Sequence, residues 1–245
     1  MAIYDTIGGG YARKRRPDPR WQAVITRALG DAPTVLNVGA GAGSYEPAQR
    51  SVVALEPSRL MSGQRPRGAA SAVQAVAQAL PLRDFSFDAA MAVLTVHHWP
   101  DPAQGLAEMR RVARRQVVAT WDPAVVGEFW LVRDYLPEII VRERALPTVR
   151  DIAARLEVRQ TLVLPVPHDC SDGFMGAYWR RPQAYLDADV RASISALALL
   201  EPAVILPAMA RLVDDLRSGA WHEKYAHLLE LSELDLGYRL IIAGS

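Results

Sequence analysis

Three groups of residues in this 245-residue chain have the types and spacing to do chemistry. His97 and His98 stand together just past the apolar run FDAAMAVL (87–94), and Asp122 stands just past QVVATW (116–121). An imidazole oriented by a carboxylate is a general base for a hydroxyl proton, with an unperturbed pKa of about 6.5 that suits neutral pH. His98 is the expected base and Asp122 its partner, with His97 beside them. Glu56 closes the run VVALE (52–56), where a carboxylate can accept both hydroxyls of an adenosine ribose. Gly39, Gly41 and Gly43 alternate within VLNVGAGAGSYE (35–46), a turn over which a nucleotide could approach the backbone. Each group also has a plain structural reading: histidines capping a helix beside Trp99, a solvated strand-end carboxylate, and glycines that a tight turn alone requires.

The elements that would position these residues alternate. TVLNVG (34–39), VVALE, FDAAMAVL and QVVATW read as short buried strands, rich in apolar and β-branched residues. DPAQGLAEMRRVAR (101–114) reads as a helix, with Leu106, Met109, Val112 and Ala113 at helical spacing and Pro102 near its start. Such alternation predicts a parallel sheet covered on both faces. Only the turn and Tyr45 to Ser51 separate the first two strands, so their connecting helix should be short. EFWLVRDYLPEIIVRERAL and TVRDIAARL then read as helical, VRQTLVLPVP as a strand, residues 172–231 as a long helical stretch, and LGYRLIIAG (236–244) as the last strand.

Composition narrows the partners. Lys and Arg number 28 against 27 Asp and Glu, a net charge of +1, which argues against polyanion binding over the whole surface. The basic run Arg13–Arg16 lacks interleaved aromatics, so no nucleic acid is expected. The single cysteine, Cys170, argues against a disulfide framework and a multi-cysteine zinc site; no metal is expected. No apolar run reaches a membrane span of roughly 18 residues. The segment MAIYDTIGGGYARKRR has no apolar core of a signal peptide, so a cytoplasmic protein without membrane contact is expected.

NAD and S-adenosylmethionine both present an adenosine. The dinucleotide pattern Gly-x-Gly-x-x-Gly requires glycine or alanine at position 44, and Ser44 stands there; the spacing is Gly-x-Gly-x-Gly. In order and spacing, VLNVGAGAGSYE, VVALEPS, AVAQALPLRDFSFDAAMAVLTVHHWPDP and GLAEMRRVARRQVVATWDP resemble class I S-adenosylmethionine-dependent methyltransferases, most closely small-molecule members of the UbiE-like (type 11) group. The resemblance covers about residues 34–123.

The resemblance implies a Rossmann-like α/β fold: a seven-stranded, mostly parallel sheet with an antiparallel last strand, and a helical insertion before it. It implies leader helices and a lid over 1–33, a cofactor-binding core over 34–171 and 232–245, and an acceptor cap over 172–231. Gly39, Ala40, Gly41 and Gly43 would lie along the methionine and ribose of S-adenosylmethionine, and Glu56 would take the ribose hydroxyls. Ala77 and Gln78 would border the adenine edge, Pro57 and Leu80 its faces, with Val93 nearby at the end of the fourth strand. Tyr11 and Arg16 would act as a lid, hinged at Gly8–Gly10. Phe174, Tyr178, Trp179 and Arg180 could line the acceptor pocket. Asn37 and Val76 stand where many members carry Asp, and Arg114-Arg115 replaces a glycine-rich turn. The implied activity is methyl transfer to a small-molecule acceptor by a monomer or homodimer, with O-methylation in secondary metabolism favoured. The alternatives are an S-adenosylmethionine-binding protein that does not methylate and a nicotinamide-dependent oxidoreductase.

Overall fold

A computed structural model describes residues 4–245. Its main sheet contains β1 (Thr34–Val38), β2 (Ser51–Leu55), β3 (Ala72–Val73), β4 (Phe87–Val93), β5 (Ala113–Trp121), β6 (Val158–Val163) and β9 (Tyr238–Gly244), in the order β3-β2-β1-β4-β5-β9-β6. A separate short ribbon pairs β7 (Val166–Pro167) with β8 (Glu233–Leu234). The first five strands pair in parallel, and β9 runs antiparallel to both β5 and β6. This is the seven-stranded sheet with an antiparallel last strand that the resemblance implies. Strand order reverses between β1 and β4, so a crevice opens beyond their carboxyl ends. The glycine turn leaves β1 there, and the histidine pair leaves β4 there.

Both faces of the sheet are covered, which is why its central strands are buried and mostly apolar rather than alternating. On one face, the helix Pro19–Ala28, capped by Asp18, buries Trp21, Ile25 and Ala28. On the other, the helix Pro102–Val112, capped by Asp101, buries Leu106, Met109 and Val112, each worth about 1.5–3 kcal/mol. Gly105 lets this helix lie against Trp99: a Cβ there would stand 2.4 Å from the indole ring.

Three local readings change. Residues 39–50, all described, form turns and no helix. Gly39, Gly41, Gly43 and Tyr45 all have positive φ (70°, 53°, 93° and 64°), and a right-handed helix cannot run through left-handed residues. The dinucleotide arrangement, in which a helix N-terminus faces a pyrophosphate, is therefore not built here. The helix Pro102–Val112 passes straight into β5, so Arg114 and Arg115 belong to the strand and no turn precedes it. β3 has two exposed residues, too few to leave a periodic signal.

After β5 the chain makes a 3₁₀ turn (Pro123–Glu128) and a π turn (Leu131–Tyr135). Pro137 then starts a separate helix, Glu138–Glu143. The stretch before β9 holds the helices Ala188–Ala192, Ser195–Ala198, Pro202–Ser218 and Ala220–Tyr225.

Candidate active site

A cavity of about 550 Å³ lies over the carboxyl ends of β1, β2, β4 and β5, within the range typical of small-molecule sites. One end is walled by Gly39 to Ala42, Leu55 to Pro57, and Val76 to Gln78. The other is walled by Leu94, His97, His98 and Trp121, under a roof of Arg142, Glu143, Leu146, Ser195 and Leu199. Tyr4, Tyr11 and Arg15 close the side.

At the first end, Glu56 is 5% exposed. Its Oε2 accepts the Gly41 amide at 2.8 Å and its Oε1 the Ser58 amide at 2.9 Å. Burial raises its carboxyl pKa, and the two amide bonds oppose that shift. The amides of Gly39 and Ala40 both donate to the Leu55 carbonyl, locking the turn onto β2. Gly39 is required twice over, because its φ is +70° and a Cβ would stand 2.1 Å from Thr95 Oγ1. Ala40, Gly41, Pro57, Ala77, Gln78 and Val93 all line the cavity.

Gly43 lies outside the cavity wall. Its φ is +93°, and a Cβ would stand 3.3 Å from the Arg65 guanidinium, which pairs with Glu46 at 2.8 Å. The Asn37 amide donates to the same Glu46 at 3.1 Å. The third glycine and the amide at position 37 thus serve one largely buried ion pair under the turn; an aspartate at 37 would face Glu46 with like charge. Leu80 also leaves the wall and packs in the core behind Ala77.

At the other end, Leu94 adopts φ +52°, a costly conformation for a branched side chain, held by its amide on the Ala119 carbonyl at 2.8 Å. This bend leads into a 3₁₀ turn at Val96–His98 that brings both histidines into the cavity. His98 Nε2 meets the Tyr4 hydroxyl at 2.9 Å. The His97 ring lies 3.8 Å from that of His98 and 4.1 Å from that of Trp121, centroid to centroid. Burial, with Arg15 and Arg142 adding like charge, pushes the His98 pKa down to about 4. Burial and the His98 and Arg15 charges hold His97 well below its ordinary value. Both rings are neutral at pH 7, and neither titrates near 6.5.

Asp122 does not join His98. It caps the following 3₁₀ turn, its Oδ1 accepting the Ala124 amide at 3.0 Å. Successive strand side chains alternate in direction, and Trp121 takes the inward position. Tyr4 fills the expected partner's place, and nothing about its local sequence marks it for that role.

The lid arginine also shifts by one residue. Arg15, four positions from Tyr11, shares its face of the helical turn and bonds the Tyr11 hydroxyl, whereas Arg16 is exposed. Arg15 pairs with the fully buried Asp172 at 2.6 Å, and Asp172 also accepts the Tyr45 hydroxyl at 2.8 Å. The N-terminal segment is thereby bolted to both the glycine turn and the cap.

The four cap residues do not line this cavity. Phe174 stacks on Trp21 at 4.7 Å and borders only a small adjoining space. The buried Trp179 donates to the Val166 carbonyl, Arg180 donates to the Leu231 carbonyl, and Tyr178 packs under Arg181. An aromatic-rich segment has enough apolar surface to be drawn into the core, and here it is.

Glu143, which carries no motif, is the roof residue of most interest. It lies four positions after Ile139 on one helix face, and both are buried, at 3% and 1% exposed. A charged residue at that spacing was the available signal. Oε2 of Glu143 has no hydrogen-bond partner among the described residues. Burial pushes its pKa up to about 7, against the opposing charge of Arg142. The folded chain therefore holds a proton that the unfolded chain releases near pH 4.5, and stability should fall as pH rises from about 4.5 to 7, by up to about 3 kcal/mol from this group. Glu143→Gln should remove that component. Denaturant titrations at pH 5 and pH 8 check it, and an unchanged pH dependence in the variant would refute it.

Residues 36–119 match a family described as a methyltransferase domain. A solved structure from Anabaena variabilis, assigned to a methyltransferase of an antibiotic biosynthesis pathway, aligns at 32% identity over 95% of this chain and 99% of that one, with a TM-score of 0.86. A demethylmenaquinone methyltransferase from Renibacterium salmoninarum is 35% identical over 141 residues, 53% of this chain and 57% of that protein. The match thus spans little more than half the length of this curated relative. Geranyl diphosphate C-methyltransferase from Streptomyces coelicolor A3(2), solved with S-adenosyl-L-homocysteine, shares the fold at 15% identity and a TM-score of 0.53, over 92% of this chain and 78% of that one. The sheet order, the glycine turn beside Glu56 and the relative matched end to end lead to one conclusion: the chain belongs to the class I S-adenosylmethionine-dependent methyltransferases.

Proposed function

We propose that the protein methylates a hydroxyl of a small-molecule acceptor bound beneath the roof formed by Arg142, Glu143, Leu146, Ser195 and Leu199. The observation that carries this is a single cavity with a buried strand-end carboxylate and cavity-facing glycines at one end and neutral histidines at the other. The buried Glu56 fits a ribose diol, and the small residues from Gly39 to Ala42 leave room for a chain laid across the turn. S-adenosylmethionine, when bound, supplies an electrophilic methyl group on sulfur. Glu56 holds and orients, Tyr4, Tyr11 and Arg15 exclude water, and His98 accepts the hydroxyl proton. The tautomer that serves is the one in which Nε2–H donates to the Tyr4 oxygen, which leaves the Nδ1 lone pair for that proton. A base with so low a pKa gains little driving force from proton transfer, so alignment in a dry site is the larger contribution. The role in secondary metabolism is supported by the antibiotic-pathway assignment of the Anabaena relative. A cytoplasmic monomer or homodimer, with no nucleic acid or membrane partner, suits the near-neutral charge. Among the described residues, no helix is long and apolar enough to cross a membrane.

The experiment is calorimetry with S-adenosylhomocysteine. Glu56→Ala should weaken binding about 10- to 100-fold, the range for lost charged hydrogen bonds. An unchanged affinity would remove Glu56 from the site and the proposal with it.

A further inference from the structure

The reading above leaves a buried carboxylate in the roof without work. We infer that Glu143 binds a protonated amine on the acceptor, remote from the hydroxyl to be methylated, so that the substrate class is amine-bearing alcohols or phenols. This rests on the methyltransferase reading of the same cavity.

The geometry carries it. Glu143 lines the cavity, is 97% buried, and its Oε2 is unpartnered among the described residues. Buried polar groups are rarely left so, because each costs about 1–3 kcal/mol. Arg142 does not supply the missing partner. Neighbouring helix residues point about 100° apart, Arg142 is exposed, and the two form no ion pair among the described residues. The other cavity arginine, Arg15, is already paired with Asp172. Charged groups on the segments packed against this helix are also committed or remote. Arg133 and Asp134 pair with each other and Asp134 with Lys224, the Tyr135 hydroxyl bonds Asp215, and Glu128 is exposed. Among the described residues, the remaining titratable groups of the cavity are the two neutral histidines, Glu56, the two lid tyrosines, and Tyr45, whose hydroxyl is committed to Asp172.

The roof neighbours Leu146 and Leu199 are apolar and Ser195 is neutral, so among the described residues the carboxylate is the only acidic side chain on that wall. A neutral hydroxyl would give it one modest bond. An ammonium supplies a charge and up to three donors, and restores the ionised form. The pH behaviour follows. Below about pH 7 the carboxyl holds its proton and attraction to the amine weakens; it grows as pH rises through that value and ends when the amine itself loses its proton, at about pH 10.

The test uses the whole protein saturated with S-adenosylhomocysteine, with 4-(aminomethyl)phenol, tyramine and 4-(3-aminopropyl)phenol as probes. The matched 4-alkylphenols lack only the amine. At pH 8 the best amine should bind at least tenfold more tightly than its alkyl match. That advantage should shrink at pH 6, where binding should also release a proton, read from the buffer dependence of the enthalpy. Glu143→Gln should erase the advantage while leaving S-adenosylhomocysteine affinity within about threefold. The wild-type proton release needs no variant and stands if the variant folds poorly. The inference is overturned if the amines have no advantage, including the case in which no phenol binds, or if the advantage survives in Glu143→Gln. A large loss of S-adenosylhomocysteine affinity in that variant also overturns it, because Glu143 would then hold the cofactor's own amino group. Intact S-adenosylhomocysteine binding in the wild type keeps the methyltransferase reading standing in every case.

Discussion

Gly41→Val is expected to abolish detectable S-adenosylmethionine binding, a loss of at least about 10²-fold, while the variant keeps a cooperative thermal transition. Gly41 sits at φ +53° facing the cavity, and its amide donates to Glu56. A β-branched residue there carries about 1–3 kcal/mol of backbone strain, which relaxes most readily by swinging the amide away from Glu56. That movement disturbs the carboxylate and places two methyl groups where the ligand must lie. The fold should survive, because a Cβ at 41 meets only the terminal methyl of Met61, at 3.4 Å, and total stability is typically about 5–15 kcal/mol. Gly39 would be a poor choice for this test: its Cβ would collide with Thr95, and loss of binding could not be separated from loss of fold. Calorimetry and thermal unfolding on the same sample decide the matter. Retained affinity would mean that the glycines serve the turn alone.

His98→Ala should lower turnover by roughly 10²-fold, the lower end for general-base catalysis, with little change in cofactor affinity. Tyr4→Phe should lower it less, because it frees the ring without removing the nitrogen. His97 is held between His98 and Trp121, so His97→Ala should act through misplacement of His98. The pH profile adds a second check. Because burial holds His98 near 4, the wild-type rate should show no ascending limb at about pH 6.5, and any inflection near 7 should vanish in Glu143→Gln. Near-normal turnover in His98→Ala across the pH range would leave alignment as the whole of catalysis.

Much of the fold was legible because its signals are local. The runs 34–39, 52–56, 87–94 and 116–121 are apolar since both faces of their sheet are covered, and that needs no knowledge of partners. The ordered motifs from Val35 to Pro123 likewise identify the cofactor half, because glycines in a turn and a carboxylate at a strand tip do their work within a few residues of backbone. The missing helix after β1 was the local exception. Its cause, four positive φ angles in seven residues, was half visible in the three glycines and hidden at Tyr45, which is held by a hydroxyl bond to Asp172, 127 positions away.

The acceptor end is where sequence alone ran out. Which residue partners His98 depends on a Tyr4 hydroxyl 94 positions away, and Arg15 rather than Arg16 enters the wall because of a buried Asp172. Phe174, Tyr178, Trp179 and Arg180 looked like pocket residues by type, and packing drew them elsewhere. Glu143 looked like one charge among many in RER, and packing buried it. The sequence by itself determined the sheet, the family and the nucleotide end, because strand pattern and turn chemistry are written over short distances. Only the tertiary structure decided the reacting end, because burial and side-chain partnership across distant segments are properties of the packed chain, and they set both the histidine pKa values and the one unpartnered carboxylate in the cavity roof.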